Sequence, residues 1–337
     1  MNILITGGCG FLGVRLARTL LAMDSLSLAG ASPQAIERLT LADRVAPPDD
    51  LRNDPRVVFI AGDLYDQLQG GQLLALDTSL AFHLAAAVSG ECEADFDLGM
   101  RSNVDATRML LEACRKLGTR PVLVFSSSLA VFGHSAQQPL PAVLGDATLP
   151  TPQSSYGIQK FIGEQLVADY ARRGFVDGRS VRLMTVSVRP GKPNGAASSF
   201  LSGMIREPLA GVRAVCPVQP NTPVALASPA RAIEGLLCAA QTSAAQWGPR
   251  TAMTLPGLMT TVGAMAQALE RVAGSAATAL LDWRADPAIE KIVNTWPGNI
   301  QTPRANALGL QSDDDFEQII RAYVRENPRA IARSIVN

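Results

Sequence analysis

At 337 residues the chain exceeds the usual size of one domain, and a composition of 47% hydrophobic and 18% charged residues supplies a sizeable core. Thirty basic residues balance thirty acidic ones, which removes the electrostatic case for nucleic acid or an anionic membrane as partner and leaves a small molecule. No run of about 18 apolar residues could span a bilayer, the chain starts on an apolar run without a basic cleavable leader, and five scattered cysteines with two histidines favour reduced thiols over disulfides or a metal site, so a cytoplasmic protein without metal is expected.

The first element is the apolar run Ile3 to Ile5, which ends in Thr6-Gly7-Gly8-Cys9-Gly10-Phe11-Leu12-Gly13. Phe11 to Met23 then carry helical apolar spacing, so the glycines occupy a strand-to-helix turn. Gly8, Gly10 and Gly13 satisfy G-x-G-x-x-G, and Gly7, Gly10 and Gly13 satisfy G-x-x-G-x-x-G. Side chains missing at these positions let the backbone approach a pyrophosphate, which then rests on the positive end of the helix with Phe11 and Leu12 in its first turn. The alternative reading is a tight turn that only packs strand on helix.

Further strands are expected at Leu39 to Ala42, Val57 to Ile60, Leu80 to Leu84, Val122 to Phe125 and Val181 to Val188, with helices between them, notably Met100 to Leu117 and Tyr156 to Arg172. This alternation predicts an α/β fold: a Rossmann-type, doubly wound parallel sheet with its ligand crevice at the carboxyl ends of the strands. Asp43, closing the second strand, is placed to accept the adenosine ribose hydroxyls of NAD and to repel the 2′-phosphate of NADP; a solvent-facing acid is the alternative. Its long spacing from Gly13 is assigned to a loop at Gly30 to Pro33. Asp63-Leu64 after the third strand is expected near the adenine, and Ala85-Ala86 after the fourth would let the cofactor lie close.

The fifth strand runs into Ser126-Ser127-Ser128, and Tyr156-Gly157-Ile158-Gln159-Lys160 opens the following helix. Tyr156 and Lys160, four apart, share a helix face. A phenol ionises near pH 10, and a neighbouring ammonium favours the phenolate, so Tyr156 can take a proton from a hydroxyl that loses hydride to a nicotinamide. Ser128 would orient that oxygen, and Lys160 has the reach to hold the nicotinamide ribose. A buried tyrosine with a snorkelling lysine is the alternative. His83 reads as a core histidine and His134 as an exposed loop residue.

After Pro190 the pattern loosens into Pro, Gly and Ser-rich segments with helices at Ser198 to Arg206, Ala230 to Ala240, Val262 to Ala273 and Asp315 to Glu326. The expected organisation is a cofactor domain over 1–188, rejoined by part of 222–255, and a smaller substrate lobe mainly over 189–337. Ser312-Asp313-Asp314-Asp315 reads as a cap on the last helix rather than a metal site.

Taken together, Gly7, Gly10 and Gly13, Asp63-Leu64, His83-Leu84-Ala85-Ala86, Ser126 to Gly133, Tyr156-x-x-x-Lys160, Arg189-Pro190 and Ala305-Asn306-Ala307-Leu308-Gly309 resemble the extended short-chain dehydrogenase/reductase superfamily, which includes nucleotide-sugar epimerases and dehydratases. The resemblance implies Ser128, Tyr156 and Lys160 as the catalytic set, NAD as cofactor held in part by Pro190, and a homodimer through helices near 100–117 and 156–172. The chain departs from the nucleotide-sugar enzymes at Arg189-Pro190-Gly191-Lys192-Pro193-Asn194, Asn221-Thr222-Pro223, Ala227-Ser228-Pro229 and Trp296-Pro297-Gly298-Asn299, where cationic partners for a diphosphate are replaced. Thr151 to Gly157, Arg172 to Arg179, Val188 to Asn194, Ala196 to Phe200 and Ile205 to Gly211 are instead similar to the D-erythronate dehydrogenase group. That resemblance implies NAD-dependent oxidation at C2 of a short sugar acid, with Lys192, Asn194, Ser198, Arg206 and Ser89 as candidate substrate contacts. Arg206 reads equally well as a surface residue in an ion pair. A nucleotide-sugar epimerase using NAD transiently and a non-catalytic NAD-binding regulator are the alternatives.

Overall fold

The computed structural model describes residues 1–337 except 72, 194, 333, 334, 336 and 337. Twelve strands run in chain order: β1 (Asn2–Thr6), β2 (Arg38–Asp43), β3 (Val57–Ala61), β4 (Thr78–His83), β5 (Val122–Ser128), β6 (Asp177–Leu183), β7 (Thr185–Val186), β8 (Ala214–Cys216), β9 (Pro223–Ala227), β10 (Met253–Thr254), β11 (Leu258–Thr261) and β12 (Leu281–Trp283). The longer helices are α1 (Phe11–Leu21), α2 (Ala106–Leu117), α3 (Ser155–Arg172), α4 (Ser199–Leu209), α5 (Pro229–Gln241), α6 (Val262–Ala273) and α7 (Phe316–Glu326). The chain forms two units, one of Met1–Ser128, Ser155–Arg182 and Ile233–Thr254, the other of Leu129–Ser154, Leu183–Ala232 and Leu255–Asn337.

The first unit carries a seven-stranded parallel sheet in the order β10-β6-β5-β4-β1-β2-β3. This is the dinucleotide-binding strand order with β10 added at one edge, and the order reverses at β1, which pairs with β2 on one side and β4 on the other. The runs of Leu, Ile, Val and Phe follow from burial on both faces: Leu4, Ala81, Leu123 and Phe125 pack with Leu110, Leu111 and Cys114 of α2 and Val167 of α3. Gly163 permits the close approach of α3, since a Cβ there would lie 2.5 Å from the Phe125 ring. The segment between α1 and β2 is a small turn bridged between Leu26 and Gln34, with Ala29 and Gly30 at positive φ, and it accounts for the long spacing from Gly13 to Asp43.

In the second unit β11-β9-β7 form a three-stranded sheet and β12-β8 a pair. Its core gathers Leu201, Met204, Ile205 and Leu209 of α4, Met265 and Leu269 of α6, and Phe316, Ile319, Ile320 and Tyr323 of α7. Asp315 caps α7 by accepting the Gln318 N–H at 2.8 Å, whereas Asp313 accepts the Ser228 N–H at 2.7 Å.

Two expected elements are corrected. The single strand anticipated over Val181 to Val188 ends at Leu183, and Thr185–Val186 pairs with β9 in the other sheet; the apolar residues Val181, Leu183, Met184, Val186 and Val188 continue across the break, so periodicity could not register the change of sheet. The helix anticipated from Met100 opens with a π-turn, Met100–Asp105, before α2. No helix among the described residues is long and apolar enough to cross a membrane.

Candidate active site

The glycine loop lies at the switch point of the first unit. Gly7 has φ +68°, and a Cβ there would fall 2.7 Å from the Ala85 nitrogen and 2.9 Å from its Cα, so the loop lies directly against the chain leaving β4. A Cβ on Gly13 would overlap the Gly7 carbonyl oxygen and meet Gly8, which fixes how closely α1 abuts the turn. Gly10 is the N-cap of α1 and supplies no side-chain cap, leaving the N–H groups of the first turn, at Phe11 and Leu12, to an anion. Asp43, the last residue of β2, accepts the Cys9 N–H at 3.0 Å and the Val45 N–H at 3.1 Å, so its carboxylate faces the loop. Burial, and secondarily Asp43, push the Cys9 thiol up to about 11, so it is no nucleophile at neutral pH. A cradle that side chains would fill, beside an uncapped helix end and a fixed carboxylate, fits a dinucleotide. Asp63 caps the short helix Leu64–Gln69 by accepting the Tyr65 N–H at 3.0 Å, and Leu64 packs against the core.

The three serines closing β5 divide their work. The Ser126 carbonyl accepts a 2.8 Å hydrogen bond from Lys160 Nζ, and its hydroxyl donates to the His83 carbonyl at 2.9 Å. The Ser127 hydroxyl donates to Glu164 Oε1 at 2.5 Å, and Arg182 of β6 grips the same carboxylate with two bonds of 2.8 and 2.7 Å. Ser128, on the same strand face as Ser126, is half-buried. On α3, Lys160 is 3% exposed and its Nζ lies 5.7 Å from the Tyr156 ring centroid and 4.9 Å from that of Phe125. The structure thus brings Tyr156 and Lys160 together beside the strand that ends in Ser128. Burial pushes the Lys160 ammonium down to about 8, against the pull of Cys92 and Glu164. His83 is core, as its setting requires: Nδ1 lies 2.7 Å from Thr6 Oγ1, Nε2 lies 2.9 Å from Thr107 Oγ1, and burial followed by Lys160 pushes its pKa down to about 3.

Residues that pattern reading missed hold the end of β4. Ala85 and Ala86 lead to Ala87, whose N–H donates to Asn103 Oδ1 at 2.8 Å; Asn103 Nδ2 in turn donates to the Gln159 side-chain oxygen at 2.8 Å. Asn103 sits inside the π-turn, and no motif flags a lone asparagine there. The one available signal was the irregular spacing before α2. Ser89 is the first residue of the short helix Ser89–Ala94 that follows.

Within the second unit the candidates fall into two kinds. Arg206 is 6% exposed, so its reading as a surface residue is corrected: the apolar surroundings of α4 bury it, with Nη1 on the Arg189 carbonyl at 2.8 Å and Nη2 on Glu207 at 2.5 Å. Ser198 accepts Arg189 Nη2 at 3.3 Å, and Arg189, preceding Pro190, also donates its backbone N–H to Ser202 at 3.0 Å. Lys192 is exposed. Asn194 lies outside the described residues.

The profile of the NAD dependent epimerase/dehydratase family matches residues 3–222. D-erythronate dehydrogenase of Cupriavidus necator is 53% identical over 97% of this chain and 98% of its own length, and that of Haemophilus influenzae is 42% identical over 96% and 99%. Among solved structures, the nucleoside-diphosphate-sugar epimerase from Agrobacterium tumefaciens superposes with a TM-score of 0.88 at 39% identity, covering 98% of this chain and 95% of that one. With a glycine cradle, an aspartate facing it and a Tyr-Lys pair on one shelf, the chain belongs to the NAD dependent epimerase/dehydratase family, and its cofactor is NAD.

Proposed function

We propose that the protein is a cytoplasmic NAD-dependent dehydrogenase that oxidises the C2 hydroxyl of D-erythronate to 2-dehydro-D-erythronate. The observation that carries this reading is 53% and 42% identity, over nearly the whole chain, to two D-erythronate dehydrogenases, joined to a Tyr156-Lys160 pair on the shelf beside Ser128. NAD, when bound, would supply the hydride acceptor for the carbinol carbon. Tyr156 takes the hydroxyl proton as that carbon gives up its hydride and the C=O bond forms. Lys160, held by the Ser126 carbonyl, favours the phenolate electrostatically. Ser128 donates to the substrate oxygen and fixes its direction. Gly7, Gly10 and Gly13 with the Phe11 and Leu12 N–H groups hold the pyrophosphate, Asp43 the adenosine ribose, Asp63 and Leu64 border the adenine, and Ala85, Ala86 and Pro190 complete the cofactor site. Lys192 is the residue we assign to the substrate carboxylate, with Asn194, Ser198 and Ser89 as hydroxyl partners; Arg206, already neutralised by Glu207, ranks below it.

The name of the A. tumefaciens relative favours a second reading, an epimerase acting on a nucleotide sugar. NADH absorbance separates them. Stoichiometric NADH from D-erythronate, with none from nucleotide sugars, is the expected result, and turnover of a nucleotide sugar without net NADH would reject the dehydrogenase. Titration with both cofactors should show NAD binding more tightly than NADP, with the preference lost in Asp43→Ala.

A further inference from the structure

We propose that Gln159, the residue that precedes Lys160 on α3, is a positioning residue that holds the cofactor-facing end of β4 through Asn103. This inference rests on the reading that NAD lies against Ala85 and Ala86.

The relay has a fixed direction. Asn103 Oδ1 accepts the Ala87 N–H at 2.8 Å, so the other end of that amide, Nδ2, must donate. It donates to the Ala87 carbonyl at 3.2 Å and to Gln159 Oε1 at 2.8 Å. Both backbone groups of Ala87 are therefore held by one side chain, whose Nδ2 also lies 3.3 Å from Cys92 Sγ and makes its shortest bond to Gln159. Gln159 and Asn103 are 1% and 3% exposed, so water cannot substitute for either. Gln159 Nε2, turned away from Asn103, has no hydrogen-bond partner among the described residues. Its amide is thus kept for its oxygen alone, an arrangement that costs the chain an unmade bond and needs a compensating role.

Gly99 supplies the space. A Cβ at 99 would fall 2.5 Å from Gln159 Nε2 and 3.0 Å from Oε1. A glutamine clamped at one end by Asn103 cannot retreat far, so the absence of a side chain at 99 belongs to the same device. The consequence runs to the cofactor cradle, because Ala85, two residues before Ala87, is the backbone that Gly7 approaches within the space of a missing Cβ. Moving Ala87 moves the wall of the glycine loop.

Two measurements test the relay. In the cofactor-free protein, hydrogen exchange at the Ala87 amide should quicken about tenfold or more in Gln159→Met, which keeps length and loses the acceptor. In the same variant calorimetric NAD affinity should fall about tenfold, the equivalent of one 1.4 kcal/mol increment, while kcat at saturating NAD stays within about threefold. Asn103→Ala, which removes the Ala87 bonds themselves, should lose at least as much, and adding Gln159→Met to it should cost nothing further, since Gln159 acts through Asn103. If Gln159→Met does not fold, Gly99→Ala presses on the same amide and should shift exchange and affinity in the same direction. Wild-type exchange and affinity in Gln159→Met or Gly99→Ala, or additive losses in the double variant, would overturn the inference. Unchanged NAD binding in Gln159→Met with weakened binding in Asp43→Ala rejects the relay alone; unchanged binding in both rejects the cofactor reading as well.

Discussion

The shelf formed by β5, α3 and β6 and the segment 189–206 both gather cations, and they hold them by opposite means. On the shelf, buried Lys160 of α3 donates to the Ser126 carbonyl of β5 and buried Arg182 of β6 grips the Glu164 carboxylate of α3 with two bonds, so each cation ties the helix to a strand. In the segment, Arg189 and Arg206 tie one loop to one helix, while Lys192 stands exposed outside any regular element. On the proposed function, the difference follows from what each must do. Hydride and proton transfer tolerate little displacement of the reacting groups and favour preorganised polar groups. Substrate choice is tuned on loops, where a side chain can change without disturbing a core.

If the shelf carries the chemistry, the largest effect should come from its single proton acceptor. Tyr156→Phe should lower kcat by 10² or more, the usual weight of general acid–base catalysis, with NAD affinity by calorimetry close to wild type. Near-normal turnover would assign the base to another group.

The next effect concerns stability. Arg182→Met leaves Glu164, whose side chain is 2% exposed, as a buried unpaired carboxylate and should cost about 3–5 kcal/mol in urea unfolding. Arg206→Met should cost less, because the Glu207 side chain is 21% exposed and can be hydrated. Equal losses would mean that the two regions are built alike after all.

A smaller effect should appear at Lys192. If it pairs with the carboxylate, Lys192→Met should lower kcat/KM for D-erythronate about 10- to 150-fold, from the roughly 1.5–3 kcal/mol of a charge-assisted hydrogen bond. NAD affinity should be unaffected, and the corresponding alditol should be a poor substrate equally in both proteins. An unchanged KM for the acid would shift the assignment to Arg206.

The same contrast governs what could be read in advance. The six main strands and the glycine turn were legible because a sheet buried on both faces demands continuous apolar runs, and because a dinucleotide cradle needs glycine at particular spacings. Tyr156 and Lys160 were legible because their chemistry and helical spacing coincide. Asn103 and Gln159 were not, since their meaning lies in a hydrogen bond between residues 56 apart in the chain. The burial of Arg206, for which a surface ion pair was one of two readings, was not legible because a charge on an amphipathic pattern normally faces water, and only the tertiary packing of α4 shows that it does not. The change of sheet between Leu183 and Thr185 is invisible to periodicity, because apolar residues continue across it at Leu183, Met184 and Val186.

The last prediction sharpens the comparison through a group on β4, the strand paired with the shelf's β5. His83 is fully enclosed between Thr6 and Thr107, and burial first, then Lys160, holds its pKa near about 3, against 6.5 for a free imidazole. In the unfolded chain it takes up a proton below 6.5, whereas in the folded protein it stays neutral until about 3. Between those values the unfolded state binds the extra proton, so stability falls as pH falls, by up to about 1.4 kcal/mol per pH unit from this group alone. Carboxylates held in ion pairs contribute to the same acid slope, so the measurement is the difference between wild type and His83→Gln in urea unfolding from pH 7 to pH 4. The variant starts less stable, having lost one ring contact, yet should lose less on acidification, and the two curves should converge. Parallel curves would show that His83 protonates in place, and that this part of the first unit yields to charge as readily as the exposed segment around Lys192.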